Sequence, residues 1–301
     1  MNNTIAIIVT YNRIELLKEC LIALNESDYF CDILIVDNAS SDGTKEYLND
    51  LLNKKNNNYI IYYYNTNENI GGAGGYNFGL KKAIELDNKY KYFWLMDDDC
   101  IVSKNSLSKL INVAKEKNDD FGFLSSKVLW SDGSICKTNI QRKKVARKIR
   151  DFKNRIVRVD YASFVSVLFK REDVIKLGFP IKDFFIWTDD LEYTRRFSKI
   201  SNSYLINDSI VIHKCKQNIG VDITKESEDR IFRYKYIYRN DFYTFKKEGL
   251  LGIIFLFTRL IYHILKVLFL SNSKINKIKT ILNGYIEGIS FSPKVEYANT
   301  K

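Results

Sequence analysis

The sequence predicts an α/β protein with a mostly parallel sheet flanked by helices, followed by a helical C-terminal region. Three observations carry that prediction. Up to Cys100, short apolar runs alternate with helix-patterned segments, the rhythm of strand–helix–strand units. Runs such as IAIIV and ILIV are apolar on both faces, as strands buried between helix layers must be. Polar clusters at residues 10–13, 37–38, 65–69 and 97–99 follow the first four strands, at the carboxyl ends where such sheets bind ligands.

The elements follow in order. TIAIIVTY reads as the first strand, not as a signal peptide, because no basic segment and long apolar stretch precede a cleavage site. IELLKECLIAL is a helix, CDILIVDNAS the second strand, DGTKEYLNDLL a helix and YIIYYYN the third strand. The tract NKKNNN reads as a loop. A helix around NFGLKKAIEL leads to the fourth strand, YKYFWLMDDD, and SKNSLSKLINVAKEK is again helical. DYASFVSVLF and SIVIHKC are strand-like, and between them WTDDLEY opens a helix near Thr188. From about residue 225 helix dominates. We expect a catalytic unit over 1–224 and a helical, membrane-associated region over 225–301; a chain of 301 residues suits one large α/β core with an appendage.

Charge narrows the partners. Lys and Arg number 47 against 36 Asp and Glu, a formal +11, which suits nucleic acid, anionic lipid or phosphorylated ligands. No zinc-finger spacing, RNP-like strand or basic-leucine heptad is present, so nucleic acid is not an expected partner. Part of the excess lies in QRKKVARKIRDFKNRIVR at 141–158, which reads either as a phosphate-binding stretch near the acceptor or as a solvated helix face. Five widely spaced cysteines without a C-x-x-C pair suggest reduced thiols in the cytoplasm.

The run GLLGIIFLFTRLIYHILKVLFL at 249–270 is the candidate for membrane contact. Its fifteen Leu, Ile, Phe and Val favour insertion by about 5–9 kcal/mol, and Arg259 with Lys266 opposes it by about 5–7 kcal/mol, so spanning is close to balanced. Arg259, His263 and Lys266 share one helical face. We expect a helix in the interface plane with that basic face toward lipid phosphates; a core helix with one wet edge is the alternative. Ile275, Ile278, Leu282 and Ile286 recur at helical spacing, as packing residues do.

The acids carry the chemistry. Asp97 and Asp99 in MDDDC point the same way if the strand stays extended, with Asp98 opposite, and paired carboxylates suit a hard cation, Mn2+ or Mg2+. A helix N-cap cluster is the alternative, at the cost of unscreened repulsion. His213 is either structural or a third ligand. Asp189, Asp190 and Glu192 fall in the first turn of a helix, where one can act as a general base or cap the helix. Gly71, Gly72, Gly74 and Gly75 stand before a helix, where backbone N–H groups can approach a phosphate.

VTYNR, IVDNASSDGT, NENIGGAGGYNFG, MDDDC, WTDDLEY and IVIHKC, in that order, resemble glycosyltransferase family 2 over roughly residues 4–215. The resemblance implies a GT-A fold, a nucleotide-sugar donor with a UDP-sugar favoured, a divalent cation and inversion by single displacement. GGAGG and W-x-D-D-x-E-Y are similar to bacterial galactofuranosyltransferases, with rhamnosyltransferases close by. It further implies that Thr10, Tyr11, Asn12, Arg13, Asp37, Asn38 and the four glycines bind the nucleotide sugar, with Asp37 on the uracil and Asp98 toward the donor. Asp97, Asp99 and His213 would hold the metal, Asp190 would be the base with Asp189 and Glu192 beside it, and Trp187 would meet the acceptor. No Q-x-x-R-W motif is present, which argues against a processive synthase. The expected protein transfers galactofuranose to a lipid-linked glycan in bacterial surface polysaccharide synthesis, peripherally on the inner face of the cell membrane. A dTDP-rhamnose transferase and a non-catalytic sugar-nucleotide-binding assembly protein are the alternatives.

Overall fold

Strand β1 (Thr4–Thr10) is buried along its whole length, as are β2 (Asp32–Asp37) and all but the last residue of β4 (Tyr92–Asp97). Apolar side chains alternate between the two layers: Ala6 and Ile8 pack with helices α1 (Ile14–Asn25) and α4 (Ser106–Glu116), Ile5, Ile7 and Val9 with α3 (Gly71–Leu86). That two-sided burial is why these strands read as unbroken apolar runs. The computed structural model describes residues 2–53, 58–86 and 88–298; most of the NKKNNN tract lies outside the described residues.

With β3 (Ile61–Asn65), β5 (Cys100–Val102), β6 (Phe123–Trp130), β8 (Val167–Lys170) and β9 (Ser203–His213), the sheet runs β3-β2-β1-β4-β8-β6-β9-β5, and β7 (Ile156–Val159) pairs with β9. The first four strands in that order are parallel, and the β4–β8 and β8–β6 pairs that follow are antiparallel. The expected α/β fold with flanking helices is what forms. Pairing of Cys100 with His213 sets the end of β9 beside the turn that leaves β4, which brings residues far apart in sequence to one sheet edge.

The C-terminal helices are α7 (Tyr234–Lys246), α8 (Gly249–Leu270) and α9 (Lys274–Ser290). They share an apolar core that includes Tyr238, Leu256, Val267 and Ile281. Two expectations are reversed here. The basic face of α8 points into the protein: Arg259 pairs with Asp241 (2.9 Å), Lys266 with Asp222 (2.7 Å), and the His263 ring with the Tyr238 hydroxyl (2.8 Å). Its apolar side is the exposed one, with Leu250 76%, Phe257 63% and Phe269 79% accessible. On α9, Ile275, Leu282 and Ile286 are likewise exposed. Helical spacing identifies a face; it does not say whether water, lipid or protein meets it.

The basic stretch 141–158 is not a helix. Arg142 bridges to Lys148 and Tyr161 in short β-pairings, its guanidinium donates to the Val145 carbonyl (3.1 Å), and the chain then enters β7. Lys143, Lys144 and Arg147 remain exposed.

Candidate active site

The first acidic cluster sits where β4 turns into β5. Asp97 accepts a hydrogen bond from the Tyr76 hydroxyl (2.7 Å). Asp98 is buried and accepts from Thr10 Oγ1 (2.8 Å) and Arg13 Nη1 (3.2 Å), which also donates to Asp99 Oδ2 (2.9 Å). Asp99 Oδ1 lies 3.1 Å from His213 Nε2, outside hydrogen-bonding geometry, and is a buried acceptor with no donor. One donor atom each from Asp97, Asp99 and His213 falls within 4.8 Å of the other two. Two carboxylates and an imidazole, one carboxylate oxygen unsatisfied, fit a hard or borderline divalent cation.

The electrostatics agree. Burial raises the Asp97 carboxyl, and repulsion from Asp99 adds to it. Burial also raises Asp98, to about 7, against the pull of Arg13. At Asp99 burial is outweighed by His213 and Arg13, and the carboxyl is held low. His213, although burial disfavours its charge, is pushed up to about 12 by Asp99 and the neighbouring thiols. The cluster therefore draws positive charge toward itself.

The second cluster opens α6 (Asp189–Ser198). Thr188 precedes it in the left-handed region and makes no side-chain cap; its hydroxyl donates to Asp241 instead (2.7 Å). Capping is thus not what this threonine does. Burial raises Asp190 to about 7; the Leu191 N–H (2.7 Å) opposes the rise and the Asp97 charge reinforces it. Asp189 is raised further, by burial and by Asp190. The two acidic clusters feel each other across one site. Glu192 does not join them: Arg196 binds its carboxylate at 2.6–3.1 Å, on the part of the helix facing Leu177 and Phe179. Trp187 is half-buried, 5.2 Å from the Tyr234 ring, with the Arg233 guanidinium 5.2 Å over its face.

The residues expected around the nucleotide divide into two groups. Tyr11 is exposed, and Asn12 binds the Ser41 N–H (2.7 Å) at the open rim. Thr10 and Arg13 serve the acid trio, as above. Asp37 is fully buried, its carboxylate taken by the Ser40 N–H (2.8 Å), Tyr63 hydroxyl (3.0 Å) and Asn65 amide (3.0 Å). Asn38 is buried and holds the Gly71 carbonyl (3.0 Å).

The glycines stand inside α3 rather than ahead of it, because the Asn69 side chain accepts from the Gly71 N–H (2.9 Å) and starts the helix there. At Gly71 (φ 73°) a Cβ would strike the Phe185 carbonyl, and at Gly75 it would come within 2.5 Å of Val9. These glycines let α3 press against β1 and the 185 loop. Only Gly72 of the four faces open space.

Sequence reasoning assigned no role to the residues that hold this loop. Phe185, Trp187 and Thr188 all have φ of 63–66°, a conformation that costs on the order of 1–3 kcal/mol per residue and persists only when its surroundings enforce it. Asn240 on α7 does so, its amide donating to the carbonyls of Phe184 (3.0 Å), Ile186 (3.1 Å) and Trp187 (2.9 Å), while Arg239 donates to that of Asp183 (2.6 Å). Asp241 adds the Thr188 bond. Arg239 and Asn240 belong to the Tyr238-Arg239-Asn240 run of the sequence, whose signal is a row of polar groups buried in the middle of a helix. Asn139 has none: its oxygen lies 2.8 Å from His213 Nδ1 while its amide donates to Ser163 (2.8 Å), which fixes a proton on Nδ1 and aims Nε2 at the acids.

The sequence model described as Glycosyl transferase family 2 matches residues 5–175. No curated protein sequence matches the chain. Among solved structures, GalNAc-T7 with UDP, GalNAc and Mn2+ superposes at TM-score 0.60 and 14% identity, over 80% of this chain and 47% of that one. TarS 1-349 of S. aureus in complex with UDP superposes at 0.54 and 15% identity, over 97% and 73%. The mannosyltransferase PcManGT from Pyrobaculum calidifontis in complex with GDP-Man and Mn2+ does so at 0.56 and 15%, over 96% and 76%. The chain spans less than half the length of the GalNAc-T7 chain, and at these identities the likeness establishes a shared fold.

Proposed function

The chain belongs to glycosyl transferase family 2, and from that premise we propose that it is an inverting, cation-dependent transferase of galactofuranose from UDP-galactofuranose to a lipid-linked glycan. The observation that carries this reading is the gathering of Asp97, Asp99 and His213 opposite Asp190, whose carboxyl feels Asp97. A binding protein has no use for a buried carboxyl poised near neutrality beside a cation site. The fold relatives crystallised with UDP or with GDP-Man and Mn2+ support a nucleotide-sugar donor; the GGAGG and WTDDLEY segments favour galactofuranose.

Asp97, Asp99 and His213 would hold Mn2+ or Mg2+, which when bound supplies positive charge to the departing diphosphate. Asp98, oriented by Thr10 and Arg13, faces the donor sugar, and the rim at Tyr11 and Asn12 takes the base with Asp37 and Asn38 behind it. Asp190 accepts the proton of the acceptor hydroxyl as its oxygen bonds to the anomeric carbon and the bond to the diphosphate breaks, which inverts that carbon. Burial and the Asp97 charge keep the Asp190 proton affinity high, Asp189 stands beside it, and Trp187 offers a ring to the acceptor sugar.

Residues 1–224 form the catalytic unit in this reading, and 225–301 the membrane-facing one. The exposed apolar side of α8 and α9 lies in the headgroup–acyl boundary, with the exposed lysines Lys247 and Lys274 next to the two ends of α8 toward lipid phosphates. The five free cysteines suit the cytoplasmic side of that membrane.

A screen of UDP- and dTDP-sugars with Mn2+ or Mg2+, following nucleotide release on a glycan acceptor, tests the reading. Release from UDP-galactofuranose is expected. Release from dTDP-rhamnose alone would transfer the assignment to that donor, and cation-independent release would overturn the metal role.

A further inference from the structure

Behind His213, on the side of the ring away from the acids, lies a second set of donor atoms. Cys136 Sγ is 3.8 Å from His213 Nδ1 and 4.0 Å from Cys215 Sγ, and the two sulfurs and one ring nitrogen of His213 lie within 4.8 Å of one another. Cys136 is fully buried and Cys215 is half-buried, so the set opens toward solvent on the Cys215 side. Two thiols and an imidazole are a soft donor set. Tetrahedral zinc, with Zn–S near 2.3 Å and Zn–N near 2.0–2.1 Å, holds neighbouring ligand atoms about 3.5–3.8 Å apart. The two spacings to Cys136 Sγ, 3.8 and 4.0 Å, are wider by only a few tenths of an ångström. The Asn139 oxygen, 3.0 Å from Cys136 Sγ and 2.8 Å from His213 Nδ1, stands in the same pocket as a hydrogen-bond acceptor for both.

We propose that Cys136, Cys215 and His213 Nδ1 form a binding site for a soft divalent cation such as Zn2+, and that this site competes with the acid pair for one imidazole. A neutral imidazole has a single nitrogen with a free lone pair. With Asn139 holding a proton on Nδ1, that lone pair is on Nε2 and faces Asp97 and Asp99. A soft cation on Nδ1 displaces the Asn139 contact and leaves the ring proton on Nε2, facing Asp99 Oδ1 at 3.1 Å, so that His213 has no lone pair for the acid site. The thiols bind as thiolates, their protons going to solvent. Soft-cation binding thereby opposes Mn2+ or Mg2+ binding. The thiol site stands on its own geometry; the inhibitory consequence rests on the transferase reading above.

Cadmium titration of the full chain, thiols kept reduced, tests the site through the ultraviolet absorption of cadmium–thiolate bonds. One equivalent should develop the band, and C136S and C215S should each lose it. The buried thiols of Cys20, Cys31 and Cys100 remain in both variants, so a band that persists unchanged in them, or no band in the wild type, overturns the site. Should C136S fail to fold, C215S carries the same test from a less buried position. A second measurement reads the competition: zinc inhibition of Mn2+-dependent nucleotide release should require at least tenfold more zinc in C215S. Equal inhibition in C215S overturns the competition while leaving the cadmium result to judge the site, and a chain with no transferase activity still reports its cadmium band.

Discussion

The edge of the sheet and the seam between α7 and α8 both bury charge, and they handle it in opposite ways. Along the seam Arg259 meets Asp241, and around it Lys266 of α8 meets Asp222 and Arg239 of α7 meets Glu287 of α9. At the sheet edge five aspartates, 97, 98, 99, 189 and 190, are buried or half-buried together, Arg13 and His213 pair only with Asp98 and Asp99, and four of the five carboxyls are pushed upward. Charge that is matched within the chain serves packing. Charge left unmatched in a buried place is kept for something the chain binds.

Substitutions should separate the two. Asp190→Asn should lower transfer by about 10²- to 10⁴-fold, the usual worth of a positioned base, with donor affinity and cation dependence kept; steady-state kinetics and calorimetry read both. On the seam, Asp241→Asn or Arg259→Met leaves a buried charge unpaired, at a cost of about 3–5 kcal/mol in stability measured by denaturant unfolding. The double replacement should recover most of that stability. Its activity should stay low, because Thr188 has lost a charged acceptor and the loop before Asp190 one of its ties.

The pH dependence has a definite sign. Asp190 accepts a proton only when ionised, and burial raises its carboxyl to about 7. kcat/KM should be full above that value and fall about tenfold per unit as pH drops below it; a profile flat down to pH 5 would remove the base assignment. The smallest effect belongs to the outer face of α8, where Phe257→Glu with Leu250→Glu should weaken binding to anionic vesicles several-fold without altering transfer to a soluble acceptor.

The same contrast explains what the sequence discloses. Asp97 and Asp99 were legible as paired acids at a strand end, but the strand stops at Asp97 and residues 98–99 form a turn rather than the extended segment that alternation assumed; pairing of β5 with β9 then brought His213 to them. Parallel strands were legible because burial on both faces leaves unbroken apolar runs. The direction of the basic face on α8 was not, since its partners Asp222 and Asp241 lie in other segments and no periodicity refers to them. Glu192 read as a neighbour of the base because spacing ignores Arg196 one turn on, which claims it. The glycines read as a phosphate loop, whereas Val9 and Phe185, distant in sequence, decide what Gly75 and Gly71 are for. Asn240 and Asn139 act on backbone and ring atoms far along the chain, and a single polar letter carries no trace of that.

The central claim is that Asp97, Asp99 and His213 hold one divalent cation in front of Asp190. Mn2+ binding followed by electron paramagnetic resonance in the presence of UDP tests it most directly. The account predicts a single tight ion in the wild type and in Asp190→Asn, and an affinity at least tenfold weaker in Asp97→Asn and Asp99→Asn. Wild-type Mn2+ affinity in both of those variants would contradict it.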